Sequence, residues 1–529
     1  GGYLMNKVTT FDLGNYFELP NPGLLAYFSH VRAGTTEDIR PPFWKGKSRQ
    51  QVLDAWTERL EQLDVDNKMS GLMAFELEML GKVGPLSIMQ PLKERIPKIE
   101  EYYTDVTLPS QPIDDRAIGA FVATLKGVRI QRASAKSTIE RMRLSTNSGA
   151  PYFNSKRRNV LEESLQLLDS GRYHELSVTD LPAVLGWRGQ EGGPTVDDVK
   201  QRVVWMFPFT TNVAELSVYN PLIRDWQSRN INSAYISMRA VEEKITKLFD
   251  TKGDEYVVVT DFSGFDQHFN KHLQDAAYLC LKYQLYQPEE WLEQIFPVKY
   301  RIPLVCDTHL MYTGHHGMGS GSGGTNFDEC CSHGCMQHEA AILHGARLNP
   351  YSNAYGDDGY LSYKGIDVDD VISTYTSHGQ VMNPSKQSVD KHSAVYLRRY
   401  FHDSYRDKQG IMLGVYSTCR ALGRLLGQER FIKFKEDSYD YARYVILRAL
   451  SIIENCANSP IFEEFVDFVI SGDKYRLGLG LPGFLDSLPQ QVKRFTEIDP
   501  DLLGYTKTLQ NAGTGINNWR VVKYLRSKQ

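Results

Sequence analysis

The sequence predicts an α+β fold, and three stretches carry that prediction. Apolar residues follow helical spacing from 49 to 63 behind a capping box formed by Ser48 and Gln51, which predicts an amphipathic helix. The run Glu255-Tyr-Val-Val-Val-Thr-Asp261 is typical of a buried strand that ends in an acid. Residues 353–362 place a Gly-Asp-Asp-Gly core between apolar residues, which predicts two short strands joined by a tight turn.

The composition indicates a compact soluble protein of several subdomains. Its 529 residues include 41% hydrophobic and 23% charged residues, with a net charge of -4 and a pI near 6.4. This balance excludes a wholly basic nucleic-acid coat, so contact with a polyanion must come from local basic surfaces. Seven cysteines without a paired framework, no leader and no apolar run of bilayer length indicate a reducing interior and no membrane.

Three acidic side chains form a candidate metal site. Asp357 and Asp358 are adjacent in the predicted turn, where two like charges repel each other unless a divalent cation neutralises them. Alone, the pair has a simpler interpretation as a solvated hairpin turn. Asp261 ends the predicted buried strand, and no capping role accounts for it. Together the three carboxylates could hold two Mg²⁺ ions roughly 3.5 to 4 Å apart, the arrangement used for in-line phosphoryl displacement.

Polar groups near these acids predict a site for a sugar. Asp266 stands near a helix predicted to begin at about Gln267, where N-capping is an alternative role. A glycine-rich loop, residues 317–325, precedes a helix predicted from 326 to 344. The loop matches G-x-G-x-x-G, but the flanking βαβ unit and later acid of a dinucleotide site are missing, as is the lysine of a P-loop. Its polar side chains could hydrogen-bond a ribose or a backbone instead: Ser320, Thr325 and Asn326.

Basic segments predict contact with phosphates. Between residues 126 and 158, nine basic residues accompany one acid, Glu140, which favours a surface that follows phosphates over a solvated helix face. Lys200 and Arg202 alternate with apolar residues on a predicted strand, where they could hold a triphosphate or form surface cross-strand pairs. Lys386 lies in a predicted loop, 394–401 is predicted as one strand, and helices are predicted beyond 403.

The motifs occur in an order that resembles the viral RNA-dependent RNA polymerases, most of all those of picobirnaviruses and related double-stranded RNA viruses. Motifs F, A, B, C, D and E of that family are similar to Lys200 with Arg202, Asp261-x4-Asp266, Ser320-Gly-x3-Thr325, Tyr355-Gly-Asp-Asp358, Lys386 and Tyr396-Leu-Arg-Arg399. The order is unpermuted. Residues 146–151 are similar to motif G, which lines the path of the incoming template.

The resemblance implies a closed right hand in which a palm carries the metal ions and N-terminal segments bridge fingers to thumb. The domain boundaries that follow are a bridging N-terminal segment (1–115), fingers (116–252 and 276–310), palm (253–275 for motif A and 311–403 for the later motifs), and a thumb with a C-terminal tail (404–529).

The resemblance also implies roles for individual residues. Asp261 and Asp357 would ligate metal, Asp358 would support them, and Lys386 would be the general acid. Asp266 would accept the ribose 2′-hydroxyl. The predicted nucleotide contacts are Arg188, Lys200, Arg202, Asp266, Ser320, Thr325 and Asn326. The predicted RNA contacts are Ser148, Gly149, Pro151, Arg398 and Arg399.

The implied activity is template-directed synthesis of RNA from NTPs, which would replicate and transcribe a double-stranded RNA genome. The implied cofactors are two Mg²⁺ ions, with Mn²⁺ as an alternative. The implied partners are template and product RNA, NTPs and a viral capsid protein. We expect a monomer without membrane contact, located inside the virion and in the host-cell cytoplasm.

One departure from the family pattern concerns the sugar. Where the family often has an asparagine that partners the acid of motif A, this chain has Glu329, so either Asn326 and Thr325 take that task or ribose selection is arranged differently. Two other classes compete with the prediction. A reverse transcriptase or other palm-fold polymerase that uses deoxynucleotides would place a bulky side chain at position 266. A non-catalytic RNA-binding scaffold would not need the aspartates.

Overall fold

The protein is described by a computed structural model that covers residues 4–127, 129–168, 180–190, 192–430, 434, 438–504 and 515–529. Its α-helices are α1 (Pro22–Ala33), α2 (Arg49–Gln62), α3 (Val65–Lys68), α4 (Leu72–Leu80), α5 (Leu92–Thr104), α6 (Asp115–Ala123), α7 (Ala135–Glu140), α8 (Leu161–Leu167), α9 (Phe209–Arg229), α10 (Met238–Thr251), α11 (Lys271–Gln284), α12 (Glu289–Gln294), α13 (Thr325–Leu343), α14 (Val368–Thr376), α15 (Thr418–Leu425), α16 (Tyr439–Glu454), α17 (Phe462–Ser471), α18 (Leu488–Ile498) and α19 (Arg520–Ser527). Within these described ranges, no helix has both the length and the apolar character needed to span a bilayer.

The strands form three sheets. They are β1 (Asn6–Val8), β2 (Ala183–Gln190), β3 (Lys200–Met206), β4 (Val257–Thr260), β5 (Leu304–Asp307), β6 (Leu310–Thr313), β7 (Asn353–Tyr355), β8 (Asp358–Leu361), β9 (Ser388–Asp390), β10 (Ser393–Tyr396), β11 (Arg399–His402) and β12 (Val415–Tyr416). The sheet orders are β1-β6-β5-β2-β3, β7-β8-β4-β9 and β10-β11-β12.

The four-stranded antiparallel sheet is covered on both faces because its side chains alternate. Val258 of β4 and Leu361 of β8 pack in one core with helices α11, α13 and α14. Their neighbours Val257, Val259 and Tyr360 pack in a second core with α10. With both faces buried, only the ends of β4 and β8 are left to present polar side chains.

The five-stranded sheet packs against N-terminal helices. Residues of α1 and α5 share a core with β2, β3, β5 and β6. Strands β2 and β3 are antiparallel, whereas β2 and β5 are parallel. The β2–β3 register places Arg188 directly opposite Arg202, so these two predicted nucleotide contacts are neighbours across the pair.

The N-terminal part connects this sheet to the C-terminal helices. Whereas β1 and α1 belong with the five-stranded sheet, α2 and α4 pack in the core formed by α15, α16, α17 and α19. The indole Nε1 of Trp56 donates to Thr418 Oγ1 at 2.9 Å, and Tyr400 Oη donates to Ser70 O at 2.7 Å. One continuous segment therefore links two distant parts of the molecule, which is the predicted bridging role. The domain boundaries themselves stay a prediction.

Two predicted elements match the structure closely. Helix α2 has both halves of the capping box, and the turn between β7 and β8 falls on Gly356 and Asp357. Two others are wrong. The predicted single strand 394–401 is a hairpin of β10 and β11, because Leu397 and Arg398 both adopt positive φ angles and reverse the chain.

The predicted helix start near Gln267 is also wrong. Helix α11 begins at Lys271, and Asn270 is its N-cap, accepting from the amides of His272 and Leu273. Asp266 therefore lies in the preceding turn and does not cap the helix.

Candidate active site

The strand register brings the three predicted metal ligands to one place. Strands β4 and β8 are antiparallel, with Thr260 opposite Gly359 as the last pair. The next position on each strand is Asp261 and Asp358, and opposite residues of an antiparallel pair lie about 4.5–5.5 Å apart between Cα atoms. Asp357 occupies the turn beside them, where Gly356 has the positive φ of 64° that a tight turn requires. Residues far apart in the chain thus share one sheet edge.

The two adjacent acids at this edge have raised pKa values, because they are buried close to one another. Burial raises the pKa of Asp357 to about 6, with Asp266 adding to the shift and Arg202 opposing it. Burial and the adjacent Asp357 raise the pKa of Asp358 to about 7, although its Oδ2 accepts from Leu397 N at 2.8 Å. Carboxylate oxygens are the ligands that divalent Mg²⁺ and Mn²⁺ prefer. This donor set therefore fits such ions.

The three carboxylates are not arranged as a closed metal site. Among the described residues, no three His, Cys, Asp or Glu side chains are grouped as a metal-binding cluster. Asp358 is turned toward the backbone of Leu397, which leaves Asp261 and Asp357 as the more available ligands. The supporting role of Asp358 stays a prediction.

Side chains of helix α13 hydrogen-bond to the aspartate turn and to the strands on either side of it. His333 Nδ1 lies 2.9 Å from Gly356 O, and Gln337 Nε2 donates to Asn353 O at 3.0 Å and to Tyr360 O at 3.1 Å. Burial lowers the pKa of His333 to about 4, so its ring is neutral and Nδ1 is the donor. The sequence pattern predicted this helix but not its contacts to the turn.

Gln387 is a second residue that sequence reasoning missed. Its Oε1 accepts from Asp261 N at 2.8 Å and its Nε2 donates to Asp261 O at 2.9 Å. The amide of Gln387 thereby hydrogen-bonds both backbone groups of Asp261, just beyond the end of β4. Lys386, the predicted general acid, precedes Gln387 and is an exposed residue at the end of a short 3₁₀ turn.

The predicted sugar site contains an unexpected pair. The carboxyl groups of Asp266 and Glu329 lie within hydrogen-bonding reach of each other, and burial raises the pKa of both. Arg202 opposes the rise for Asp266, so this guanidinium lies close to both Asp266 and Asp357. The same side chains act on the buried Tyr102 of α5: Asp266 and Glu329 raise its pKa, and Arg202 lowers it. The structure thus brings Arg202, Asp266, Glu329 and Asp357 together.

The glycine-rich loop holds its own polar side chains. Ser320 Oγ donates to Val203 O at 3.1 Å, and Thr325 Oγ1 donates to Gly319 O at 3.1 Å. Asn326 Nδ2 donates to Tyr235 Oη at 2.9 Å. The three predicted sugar contacts therefore shape the loop and its junction with α13, and the partner of Asp266 is Glu329 instead.

A buried carboxylate clamps this loop to α9. Glu215 accepts from Ser322 Oγ and, at 3.1 Å, from Gly323 N. Burial raises the pKa of Glu215 to about 7 in spite of the nearby Lys299. Lys299 is itself fully buried and pairs with Asp328 at 3.0 Å. The loop is thus anchored by a charged network that sequence spacing did not reveal.

The remaining predicted contacts divide by exposure. Three of them are exposed: Lys200, Arg202 and Arg398. Arg188 is half-buried, and its Nε lies 3.8 Å from Glu429 Oε1. Arg399 is buried, and its Nη1 donates to Asn455 O at 2.8 Å. The structure places Arg399 in the core, where it supports the hairpin.

The predicted template turn is mostly internal. Ser148 is buried, and its carbonyl accepts from Phe209 N at 2.8 Å. Gly149 packs against the backbone of Phe207, and Pro151 follows a cis peptide bond. These residues shape the turn, while the neighbouring arginines carry its positive charge.

The sheet edge with its acids, the facing arginines of β2 and β3 and the bridging N-terminal segment define a right-hand polymerase. The family model described as "Viral RNA-dependent RNA polymerase" matches residues 120–411. A curated protein described as a potential RNA-dependent RNA polymerase of human picobirnavirus (strain Human/Thailand/Hy005102/-) is 49% identical, with 97% of this chain and 98% of that protein covered.

Two crystal structures of a human picobirnavirus RNA-dependent RNA polymerase are similar throughout. One has a TM-score of 0.88 at 47% identity, and an insertion-loop deletion mutant has a TM-score of 0.86 at 45% identity. Each alignment covers 98% of this chain and 99% of the other. The chain belongs to the family of viral RNA-dependent RNA polymerases, which confirms the predicted fold and the nucleotidyltransferase class. Enzymes of this family use divalent metal ions, RNA and NTPs.

Proposed function

We propose that this chain copies RNA by nucleotidyl transfer at two Mg²⁺ ions held by Asp261 and Asp357, with Asp358 in support. The observation that carries the proposal is the β4–β8 register, which brings Asp261 beside the aspartate turn. When bound, such ions lower the pKa of an attacking hydroxyl and neutralise charge on a triphosphate. Mn²⁺ has the same charge and preference for oxygen, so we propose it as the alternative ion.

In the proposed reaction, the 3′-hydroxyl oxygen of the growing strand attacks the α-phosphorus of an NTP. A new phosphorus–oxygen bond forms, the bond from the α-phosphorus to the α,β-bridging oxygen breaks, and pyrophosphate leaves. The hydroxyl proton passes to solvent, and Lys386 donates a proton to the pyrophosphate. Arg202 and Lys200 hold the triphosphate, and Arg188 completes the basic face across the strand pair.

The Asp266–Glu329 pair is the proposed ribose site. A carboxylate on Asp266 accepts from a 2′-hydroxyl, and Glu329 orients it. Because a deoxyribose lacks this hydroxyl, it would leave a part-buried carboxylate without its donor, which disfavours deoxynucleotides. This arrangement favours an RNA polymerase over a reverse transcriptase.

The proposal extends to the role of the protein in a virus. The likeness to human picobirnavirus proteins over almost the whole chain supports replication and transcription of a double-stranded RNA genome. We propose that a monomer works inside the virion with the capsid protein as its partner, and also in the host-cell cytoplasm.

The experiment that tests this function is template-dependent NTP incorporation by the Asp357→Ala variant. The proposal predicts loss of synthesis with RNA binding retained, because Asp357 ligates metal and does not contact the RNA backbone. Asp254→Ala is the matched control, since Asp254 is a highly exposed acid that pairs with Lys391. Unchanged synthesis by Asp357→Ala would favour the scaffold alternative, and preferred use of dNTPs by the wild type would favour a reverse transcriptase.

A further inference from the structure

A cavity of about 200 Å³ lies between the arginine-rich segment 141–157, helix α9 and the glycine-rich loop. Its lining includes Arg141, Arg143, Arg157, Asn212, Gly321 and Gly323. Among the residues that the structure describes, no acid lines it. It is smaller than the roughly 300–1,000 Å³ of pockets that hold whole small molecules. The size and charge therefore suit one anionic group better than a complete nucleotide.

Two buried polar atoms of the residues that line this cavity have no hydrogen-bond partner among the described residues. Arg157 Nη1 donates to Arg143 O at 3.1 Å, but its buried Nε has no hydrogen-bond acceptor, and neither does the buried Oδ1 of Asn212 find a donor. Among the described residues, neither Arg141 nor Arg157 forms an ion pair. Burial and the nearby Arg143 lower the pKa of Arg157. Crowded guanidinium groups with unused donors are suited to a phosphate, whose oxygens match their geometry.

An acid from the C-terminal part of the chain forms an ion pair with one of the three arginines. Arg143 Nη2 and Asp501 Oδ1 are 2.7 Å apart. Asp501 lies in a turn that is fixed to α16, because Tyr444 Oη donates to Asp499 Oδ2 at 2.7 Å. The buried side chain of Leu502 anchors the same turn in the C-terminal core. A carboxylate is thus presented to the mouth of the cavity from across the molecule.

We propose that the cavity binds a backbone phosphate of single-stranded RNA, and that Asp501 takes the place of this phosphate on Arg143 until RNA arrives. The inference rests on the proposed function, since the RNA would be the template. Exposed Lys156 and Arg158 flank Arg157 and extend the positive charge along the surface, as a chain of phosphates requires. A free NTP has its own basic face at Arg202, beside Asp357.

The test is the affinity of the full chain for a fluorescein-labelled single-stranded RNA, measured by anisotropy without divalent ions or NTPs. Asp501→Asn removes the competing charge and is expected to tighten binding by about threefold, the value of a partly exposed ion pair. Asp440→Asn is the matched control, because Asp440 also pairs with an arginine at 2.7 Å in the C-terminal part but that arginine, Arg494, is outside the cavity. We expect Asp440→Asn to bind like the wild type.

Two further variants test the arginines themselves. Arg141→Gln and Arg157→Gln are expected to weaken RNA binding several-fold and to reduce the salt dependence by about 0.7 in log–log slope, the loss of one phosphate contact. Arg141 is exposed, so its variant should fold even if the more buried Arg157→Gln does not.

The outcomes separate the possible ligands. If Asp501→Asn binds RNA no better than Asp440→Asn does, the proposal is overturned. If it tightens binding of ATP but not of RNA, the cavity is a triphosphate site and the RNA assignment is wrong. Because binding is measured without synthesis, a chain that shows the predicted affinities but makes no RNA refutes only the proposed function. A chain that makes RNA but shows no difference between the two variants refutes only the cavity proposal.

Discussion

The carboxyl groups of Asp266 and Glu329 lie within hydrogen-bonding reach of each other, and the charge of Asp357 acts on Glu329. Two adjacent carboxylates cannot both be ionised at low cost, so the pair shares a proton. Burial, Asp266 and Asp357 all raise the pKa of Glu329, whereas Arg202 favours the ionised form of Asp266. Glu329 is therefore the protonated member and donates, as an amide would in its place.

The first prediction concerns this proton. Glu329→Gln keeps a donor at the same position and should retain the wild-type preference for NTPs over dNTPs. Glu329→Ala leaves Asp266 without its partner and should reduce that preference about tenfold, since an unsatisfied buried polar group costs about 1–3 kcal/mol. Single-nucleotide incorporation with matched NTP and dNTP measures the ratio.

The pH dependence distinguishes a proton donor from a space-filling side chain. A raised pKa means that Glu329 keeps its proton to higher pH than an ordinary glutamic acid and loses it as the pH rises through the raised value. The wild-type preference should therefore fall as the pH rises through that value, while the preference of Glu329→Gln stays flat. Identical pH profiles for the two proteins would contradict the shared proton.

The second prediction concerns Gln387. Its amide grips both backbone groups of Asp261, so Gln387→Ala should let that ligand move and lower kcat by about tenfold or more, since small displacements of reacting groups are costly. RNA affinity should not change, because the side chain faces the protein backbone. Rapid-quench extension of a bound primer gives kcat. A variant with normal kcat would show that the strand register alone positions Asp261.

The third prediction concerns stability and Glu215. Burial raises its pKa from the ordinary 4.5 to about 7, so folding resists its ionisation. Below pH 4.5 the carboxyl is protonated in both the folded and the unfolded state, so it does not reduce stability. The free energy of unfolding should then fall by up to about 3 kcal/mol as the pH rises to 7. Glu215→Gln mimics the protonated form and should escape this loss.

Urea unfolding of both proteins across this pH range measures the difference. The exposed Glu61→Gln is the control and should follow the wild type. If wild type and Glu215→Gln lose stability in parallel, the clamp on the glycine-rich loop is not the source of the pH dependence.

The fourth prediction concerns the general acid. Lys386→Met should lower kcat by about 10²-fold, the usual contribution of a positioned proton donor, and leave RNA affinity unchanged. Lys364→Met, which removes another exposed lysine that follows β8, should be neutral. Pre-steady-state extension separates the chemical step from product release. Full activity of Lys386→Met would remove this residue from the mechanism.

The sequence predicted elements whose causes are local. The capping box of Ser48 and Gln51 fixes the start of α2, and Gly356 permits the turn that presents Asp357. The hairpin at Leu397 was missed because neither turn residue is a glycine, so the apolar run resembled one strand. Local chemistry alone could not reveal that reversal.

The contacts that position the site depend on distant parts of the chain. Gln387 meets Asp261 only because β9 pairs with β4, and Glu329 meets Asp266 only because α13 packs beneath the sheet. A single sequence shows neither pairing. The motif order located the acids, but the groups that hold them in place required the fold.

Single-turnover extension of an RNA primer on an RNA template tests the central claim most directly, with Mg²⁺ and with Asp261→Asn compared to Asp254→Asn. The strand register predicts that Asp261→Asn loses more than about a thousandfold in rate, since it removes a metal ligand, while Asp254→Asn extends like the wild type. Wild-type extension by Asp261→Asn would contradict the account.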